Sequence, residues 1–230
     1  MRHVGLRYVS LFVFVCLAGL PAPAHAGTVT IANYNFASPS QSFGGYSTNI
    51  ITSWTVVTDP VGVSWSNELP GSYADQTGYV NPGGEFYQDV GPLVANSTYT
   101  FSVEVGQRED IGLPTYNIQL LDAGNTSIVL ASGIPSAPGS YNFVDFTLMF
   151  DSASFSSSVG DNIRIEFSAA SSINPLLQVN FADVTLSYAP DQTPPSGTPE
   201  PSSFGLTLLG IGVLGIACRK WFRGAFSARS

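Results

Sequence analysis

Short runs in which apolar and polar side chains alternate dominate the chain from residue 28 to residue 188. Between Tyr99 and Val105 every second side chain is aromatic or β-branched, and the intervening ones are Thr, Ser and Glu. This two-residue period is typical of strands with one buried face, and no window shows the spacing of an amphipathic helix. The pattern predicts strands over residues 28–32, 54–58, 61–65, 86–90, 99–105, 116–121, 128–131, 146–150, 163–167 and 179–188.

Turn-forming residues separate these runs. Asp122-Ala123-Gly124-Asn125 lies between two of them and predicts a hairpin turn. Many short strands joined by Gly, Pro, Asn and Ser favour an all-β fold, an antiparallel β-sandwich.

The last run changes phase. Val179 and Phe181 share one face, whereas Val184 and Leu186 share the other. A shift of one residue predicts a β-bulge at 182–183, which would place Asp183 in an unusual position.

The N-terminus has the three parts of a secretory signal peptide. Arg2 and Arg7 precede an apolar run over 9–20, and Ala24-His25-Ala26 supplies small residues for cleavage. The run is shorter than a membrane-spanning helix. We therefore expect residues 1–26 to be a signal peptide that signal peptidase cuts after Ala26, with an uncleaved anchor as the alternative.

The C-terminus predicts three further segments. Residues 191–203 are rich in proline, which indicates an extended linker. Residues 204–218 are almost entirely apolar and predict a transmembrane or sorting helix, and residues 219–230 form a basic tail. Arg219, Lys220 and Arg223 are expected to stop translocation, so that residues 27–190, a single domain, face outward. The alternative is a plain membrane anchor without processing.

Charge and missing residue types narrow the chemistry. Between residues 27 and 200 there are two basic and sixteen acidic side chains, a net charge of −14, which disfavours nucleic acid. That stretch has no Cys, His or Lys, which excludes catalysis by thiol, histidine or lysine. We therefore expect no enzyme activity and no certain cofactor. The carboxylates Glu109-Asp110, Asp151 and Asp161 leave a glycosidase as a less favoured alternative.

The C-terminal segments together resemble the PEP-CTERM sorting signal of exopolysaccharide-producing bacteria. Pro199-Glu200-Pro201 stands between the linker and the apolar segment, and the basic tail follows. The resemblance implies processing by an exosortase and transfer to the cell envelope, the cell surface or the medium, with membrane anchoring that is at least transient.

The domain resembles galactose-binding-like jelly rolls, including carbohydrate-binding modules. Ile31-Ala32-Asn33-Tyr34-Asn35-Phe36 is similar to their opening strand, and residues 179–186 are similar to their closing strand. The resemblance implies a jelly-roll fold, and in many members a structural calcium ion. Ala37 and Ala182 occupy two positions where acidic residues would hold the ion, so Asp183 alone remains as a ligand. Because calcium takes six to eight oxygens, the sequence leaves calcium binding open.

Aromatic side chains are the remaining binding candidates. Trp54 and Trp65 lie in strand-like runs and are predicted chiefly for the core, with Trp65 kept as an alternative ligand contact. Tyr73 and Tyr79 are predicted in exposed loops, where their rings could stack on a sugar. The resulting hypothesis is an exported, non-catalytic protein associated with extracellular polysaccharide. The alternative is a purely structural surface protein without a small ligand.

Overall fold

The computed structural model describes residues 25–65, 76–174 and 176–191. The chain divides after Asp191 into two compact units, and the described residues belong to the first. Within them are twelve strands and one 3-10 helix. The strands are β1 (Gly27–Thr28), β2 (Tyr46–Thr48), β3 (Thr55–Thr58), β4 (Val61–Ser64), β5 (Thr77–Val80), β6 (Glu85–Pro92), β7 (Ser97–Gln107), β8 (Tyr116–Asp122), β9 (Val129–Gly133), β10 (Asn142–Asp151), β11 (Asn162–Ala169) and β12 (Val179–Pro190); the 3-10 helix is Ser152–Ser158.

The strands form two antiparallel sheets. The large sheet has the order β10-β7-β12-β5-β4-β2, and β1 also pairs with β12. The small sheet has the order β3-β6-β11-β8-β9. The predicted all-β class, an antiparallel jelly-roll β-sandwich, is confirmed, and the alternating runs became strands because each buries one face against the opposite sheet.

Aromatic rings fill the space between the sheets. Phe181 of the large sheet lies 4.3 Å from Phe167 of the small sheet, measured between ring centroids. Phe86 is fully buried and packs edge-on against Trp54 at 5.3 Å. Trp54 is 6% exposed, so its predicted place in the core is confirmed. This cluster fixes the inner faces and leaves alternate side chains of the large sheet on its outer face.

The predicted bulge is present in β12. Pairing with β7 shifts register between Ala182 and Thr185, and Asp183 adopts a left-handed φ of 48°. The Val184 amide, displaced from the ladder, donates to the Tyr34 carbonyl oxygen at 3.1 Å. The bulge therefore turns the Asp183 side chain outward, where it is exposed.

Two local features differ from the sequence-based prediction. The first strand ends at Thr28 rather than residue 32, because the following backbone turns, with φ values of 52° at Asn33 and 55° at Phe36. The serine-rich stretch forms the 3-10 helix, whose first turn is capped by Asp151 accepting from the Ala153 amide at 2.8 Å. Such a short helix carries no periodic apolar signal.

Several predicted segments lie outside the described residues. They include Ala24 of the signal cleavage site, Tyr73, the motif Pro199-Glu200-Pro201, and the tail cations Arg219, Lys220 and Arg223. Ala26 is described and exposed. In the described ranges no helix has the length and apolar character needed to cross a membrane, and the predicted apolar segment 204–218 falls outside those ranges.

Candidate functional site

The outer face of the large sheet, which points away from the small sheet, carries the candidate site. In β7 the side chains of Val103 and Val105 enter the core, so Glu104 between them points outward. Glu104 pairs with Ala182 of β12. Asn180 pairs with Gly106 on one side and with Tyr79 of β5 on the other. Strand pairing thus brings together side chains that are distant in the sequence.

Four polar side chains of this face form a buried hydrogen-bond network, here called the amide network. They are Ser64, Thr77, Gln178 and Asn180, each 6% exposed or less. Gln178 Nε2 donates to Asn180 Oδ1 at 2.8 Å, and Thr77 Oγ1 donates to the same oxygen at 3.3 Å. The Ser64 and Thr77 hydroxyl oxygens lie 3.4 Å apart. Buried polar networks of this kind hold side chains in one arrangement.

A pocket of about 410 Å³ opens beside the amide network. Its floor includes Tyr79 and Gln178, and Tyr46 stands at its edge with 70% of its surface exposed. Arg108 also lines the pocket and forms an ion pair with Asp110 at 2.8 Å. The lining therefore offers hydroxyl, amide and guanidinium groups together with one accessible aromatic ring.

Glu104 has an unusual environment for a carboxyl group. Its Oε2 atom is buried and has no hydrogen-bond partner among the described residues. Burial raises the pKa of Glu104, and the negative charges of Asp183 and Asp145 raise it further. Asp145 is its direct partner on β10, and Asp183 lies in the adjacent bulge. These effects favour the protonated carboxyl, which can donate a proton.

The predicted aromatic candidates occupy different places. Tyr79 is 4% exposed, and its hydroxyl donates to the Ser47 carbonyl oxygen at 2.9 Å, while burial raises its pKa to about 12. Its predicted place in an exposed loop is wrong, because Tyr79 lies in β5 and its hydroxyl is enclosed by Ser47 of β2 and Gly62 of β4. Trp65 is half-buried and contacts the exposed Phe43 edge-on at 6.0 Å, near the pocket.

The calcium hypothesis finds little support at Asp183. No group of three or more acidic, histidine or cysteine side chains in the described ranges is arranged to hold a metal ion. Asp183 is exposed, and its negative charge raises the pKa of Glu104. Asp183 and Glu104 by themselves do not supply the six to eight oxygens that calcium takes.

Two of the four carboxylates considered for glycosidase chemistry are engaged elsewhere. Asp110 is held by Arg108, and Asp151 caps the 3-10 helix. Sequence reasoning missed Glu104 and Asn180 instead. Both had a local signal, since each is a polar residue flanked by apolar ones in a strand, but only strand pairing brings them to the same place.

The chain matches two family models. Residues 27–187 match the HpiC1-like family, described as HpiC1 cyclase. Residues 198–223 match the PEP-CTERM protein-sorting motif. Among curated proteins, none matches the chain. The resemblance to PEP-CTERM proteins drawn from the sequence is thus confirmed, and the motif implies export to the cell envelope or surface with processing by an exosortase.

Solved structures share the fold at low identity. A cyclase from Fischerella sp. TAU is 21% identical, with 74% of this chain and 100% of that chain covered and a TM-score of 0.60. A cyclase from the same organism in complex with 4-(1H-indol-3-yl)butan-2-one is 21% identical, with 72% of this chain and 99% of that chain covered and a TM-score of 0.60. A structure described as CBM4 is 17% identical, with 70% of this chain and 100% of that chain covered and a TM-score of 0.46.

These matches correct one expectation from the sequence. The absence of His, Cys and Lys led to the prediction that the domain is not an enzyme. The matching family is one of cyclases, and so are two of the similar solved structures. Excluding three residue types removed particular mechanisms, and it left carboxyl chemistry, which needs none of them.

Proposed function

The chain belongs to the HpiC1-like cyclase family, and on that premise we propose that its exported domain is a cyclase-like enzyme. Its active site is the outer face of the large sheet, around Glu104 and the amide network. The observation that carries the proposal is the Glu104 carboxyl, whose Oε2 atom is buried without a partner among the described residues while two carboxylates stand nearby. Its pKa is raised, which suits a proton donor.

The proposed reaction is an acid-initiated ring closure of an unsaturated organic molecule. Glu104 donates its proton to a carbon of one double bond, and a carbocation forms at the neighbouring carbon. A second double bond of the same molecule attacks that carbon, a carbon–carbon bond closes the ring, and the product cation loses a proton to the Glu104 carboxylate. Substrate and product are isomers, so the step needs no oxidant or reductant. The carboxylates of Asp145 and Asp183 stabilise the positive charge while it exists.

Other carboxyl groups with shifted pKa values suit this role less well. Burial and the charge of Glu85 raise the pKa of Glu166, but Glu166 lies on the small sheet, where the positive charge of Arg164 opposes the shift. The pKa of Asp122 is lowered, chiefly by the Ser158 hydroxyl, so Asp122 is a poor proton donor. Glu104 is also the carboxyl that lies diagonally across the β7–β12 pair from Asn180 of the amide network.

A chemical comparison tests the proposal. Purified protein is incubated with the small-molecule extract of the producing cells, and mass spectrometry follows compounds converted into isomers of equal mass. We expect such a conversion with the native protein and a loss of at least about tenfold, and commonly more, with Glu104→Gln. Glu166→Gln, which changes the same group on the small sheet, should retain conversion. Equal conversion by native protein and Glu104→Gln would contradict the proposed role.

The proposed route to the cell surface follows the segment boundaries predicted from the sequence. Residues 1–26 direct export, residues 27–190 form the domain and residues 191–203 the linker. The apolar segment 204–218 places Pro199-Glu200-Pro201 at the membrane surface, while the tail 219–230 remains in the cytoplasm. The match over residues 198–223 supports this arrangement. The exosortase then acts near the motif and releases the domain from a transient membrane anchor.

Association with extracellular polysaccharide is a second proposed function, favoured by the pocket edge. Tyr46 and Phe43 are 70% and 66% exposed beside a pocket lined by hydroxyl and amide groups. Sugars bind to such combinations of an aromatic face and hydrogen-bonding groups. Electrophoresis through gels containing the cell's own polysaccharide tests it. Tyr46→Ala should abolish retardation, and Tyr34→Ala, another exposed tyrosine, should leave it unchanged; equal retardation of both variants would count against this function.

A further inference from the structure

The Asn180 side chain has an orientation that the amide network imposes. It is fully buried, and its Oδ1 atom accepts from Gln178 Nε2 at 2.8 Å and from Thr77 Oγ1 at 3.3 Å. In this arrangement both contacts engage the carbonyl side of the amide. The Nδ2 group, on the other side of the planar amide, therefore points away from both donors.

Asn180 Nδ2 has no acceptor among the residues that the structure describes. Buried side-chain donors in native proteins nearly always have a partner, and an exception needs an explanation such as a catalytic role or a bound water or ion. The remainder of the network supplies none, since Thr77 and Gln178 already engage the carbonyl side. The donor is thus held ready for an acceptor that the fold does not provide.

The surroundings of Asn180 place this donor beside the proposed proton donor. Asn180 and Glu104 are diagonal neighbours across β12 and β7, a relation that puts their Cα atoms about 7–8 Å apart. Gly106 lies directly opposite Asn180 and has no side chain. The ring of Phe143 covers that glycine, since a Cβ built there would meet the ring at 2.4 Å. Strand pairing therefore places an aromatic ring, an amide donor and a carboxyl group at neighbouring positions of this face.

The geometry points to Asn180 as a substrate-positioning residue whose Nδ2 group donates a hydrogen bond to an acceptor atom of the substrate. This assignment rests on the proposed function and narrows its substrate class. The substrate is an unsaturated organic molecule that also carries a carbonyl, ether or imine acceptor. Binding of that acceptor to Asn180 brings the reacting double bond to the Glu104 carboxyl.

Two probes that differ in a single acceptor test the assignment. The first is 4-(1H-indol-3-yl)butan-2-one, which carries a ketone and is bound in one of the similar solved structures. The second is 3-butylindole, which lacks the ketone oxygen. Calorimetry on the full-length protein should show about tenfold tighter binding of the ketone, because a buried donor is unpaired when the acceptor is missing.

Asn180→Asp provides the informative variant. Burial raises the pKa of the new carboxyl, so binding is measured up to about pH 9. The ionised carboxylate still accepts from Gln178 and Thr77 but offers no donor, so the ratio of the two affinities should fall to about one there. Asn117→Asp introduces the same charge on β8 of the small sheet and should keep the ratio. The ratio also separates positioning from a general loss of structure, which would weaken both probes alike.

Three results would overturn the assignment. They are equal affinity of the native protein for both probes, an unchanged ratio in Asn180→Asp, and the binding of neither probe. The proposed enzyme function has its own test in the isomer conversion that depends on Glu104. Conversion without any preference for the ketone would therefore leave the enzyme proposal standing and remove the role of Asn180.

Discussion

Glu104 is the residue on which the proposed chemistry depends, and its raised pKa has a measurable consequence. The folded state holds the proton more tightly than the unfolded state, so stability falls as pH rises from the ordinary Glu value through the raised one. Glu104→Gln has no carboxyl group to ionise at this position, so it does not lose stability in this way as pH rises. We expect the variant to be more stable than the native protein at pH 7 and the difference to vanish below about pH 4. Thermal melts at both pH values measure it.

A second variant controls for net charge. Glu109→Gln removes one negative charge from an exposed loop. A stability gain at pH 7 that is equal in the two variants would mean that total charge, and not the site of Glu104, is responsible.

At the scale of elements, the contact between β2 and β4 depends on Gly62. A Cβ atom at this position would lie 1.9 Å from the Ser47 carbonyl oxygen and 2.8 Å from the Tyr79 hydroxyl. Gly62→Ala should therefore cost about 1–3 kcal/mol, which lowers the melting temperature by roughly 2–4 °C per kcal/mol. Gly139→Ala is the matched control, since no described heavy atom lies within 4 Å of its added carbon. Equal melting temperatures for the two variants would show that β2 can shift to accept the added carbon without a loss of stability.

Strands were predictable from the sequence because their signal is local. The alternation around Tyr99 and the phase change near Asp183 each depend on a few consecutive residues, and both appear in the structure. The burial of Tyr79 was not predictable, because the groups around its hydroxyl belong to β2 and β4, elsewhere in the chain. The same holds for the site, where Glu104 and Asn180 become neighbours only through the pairing of β7 with β12.

At the scale of the whole molecule, the sorting motif implies export of the domain to the cell envelope or surface. Replacing Pro199, Glu200 and Pro201 together by alanine should keep the chain uncut and in the membrane fraction, because the exosortase no longer recognises it. Pro194→Ala with Pro195→Ala changes the same linker outside the matched motif, residues 198–223, and should be processed normally. Fractionation followed by mass spectrometry of the C-terminus distinguishes the two. Normal processing of the triple variant would refute the role of the motif.

The central claim is that the outer face of the large sheet carries out an acid-initiated cyclisation with Glu104 as the proton donor. The most direct measurement repeats the isomer conversion in D₂O. A deuteron delivered by Glu104 becomes bonded to carbon, so the account predicts a product one mass unit heavier than its substrate, formed by the native protein and not by Glu104→Gln. A cyclised product without deuterium, or one formed equally by the variant, would contradict the account.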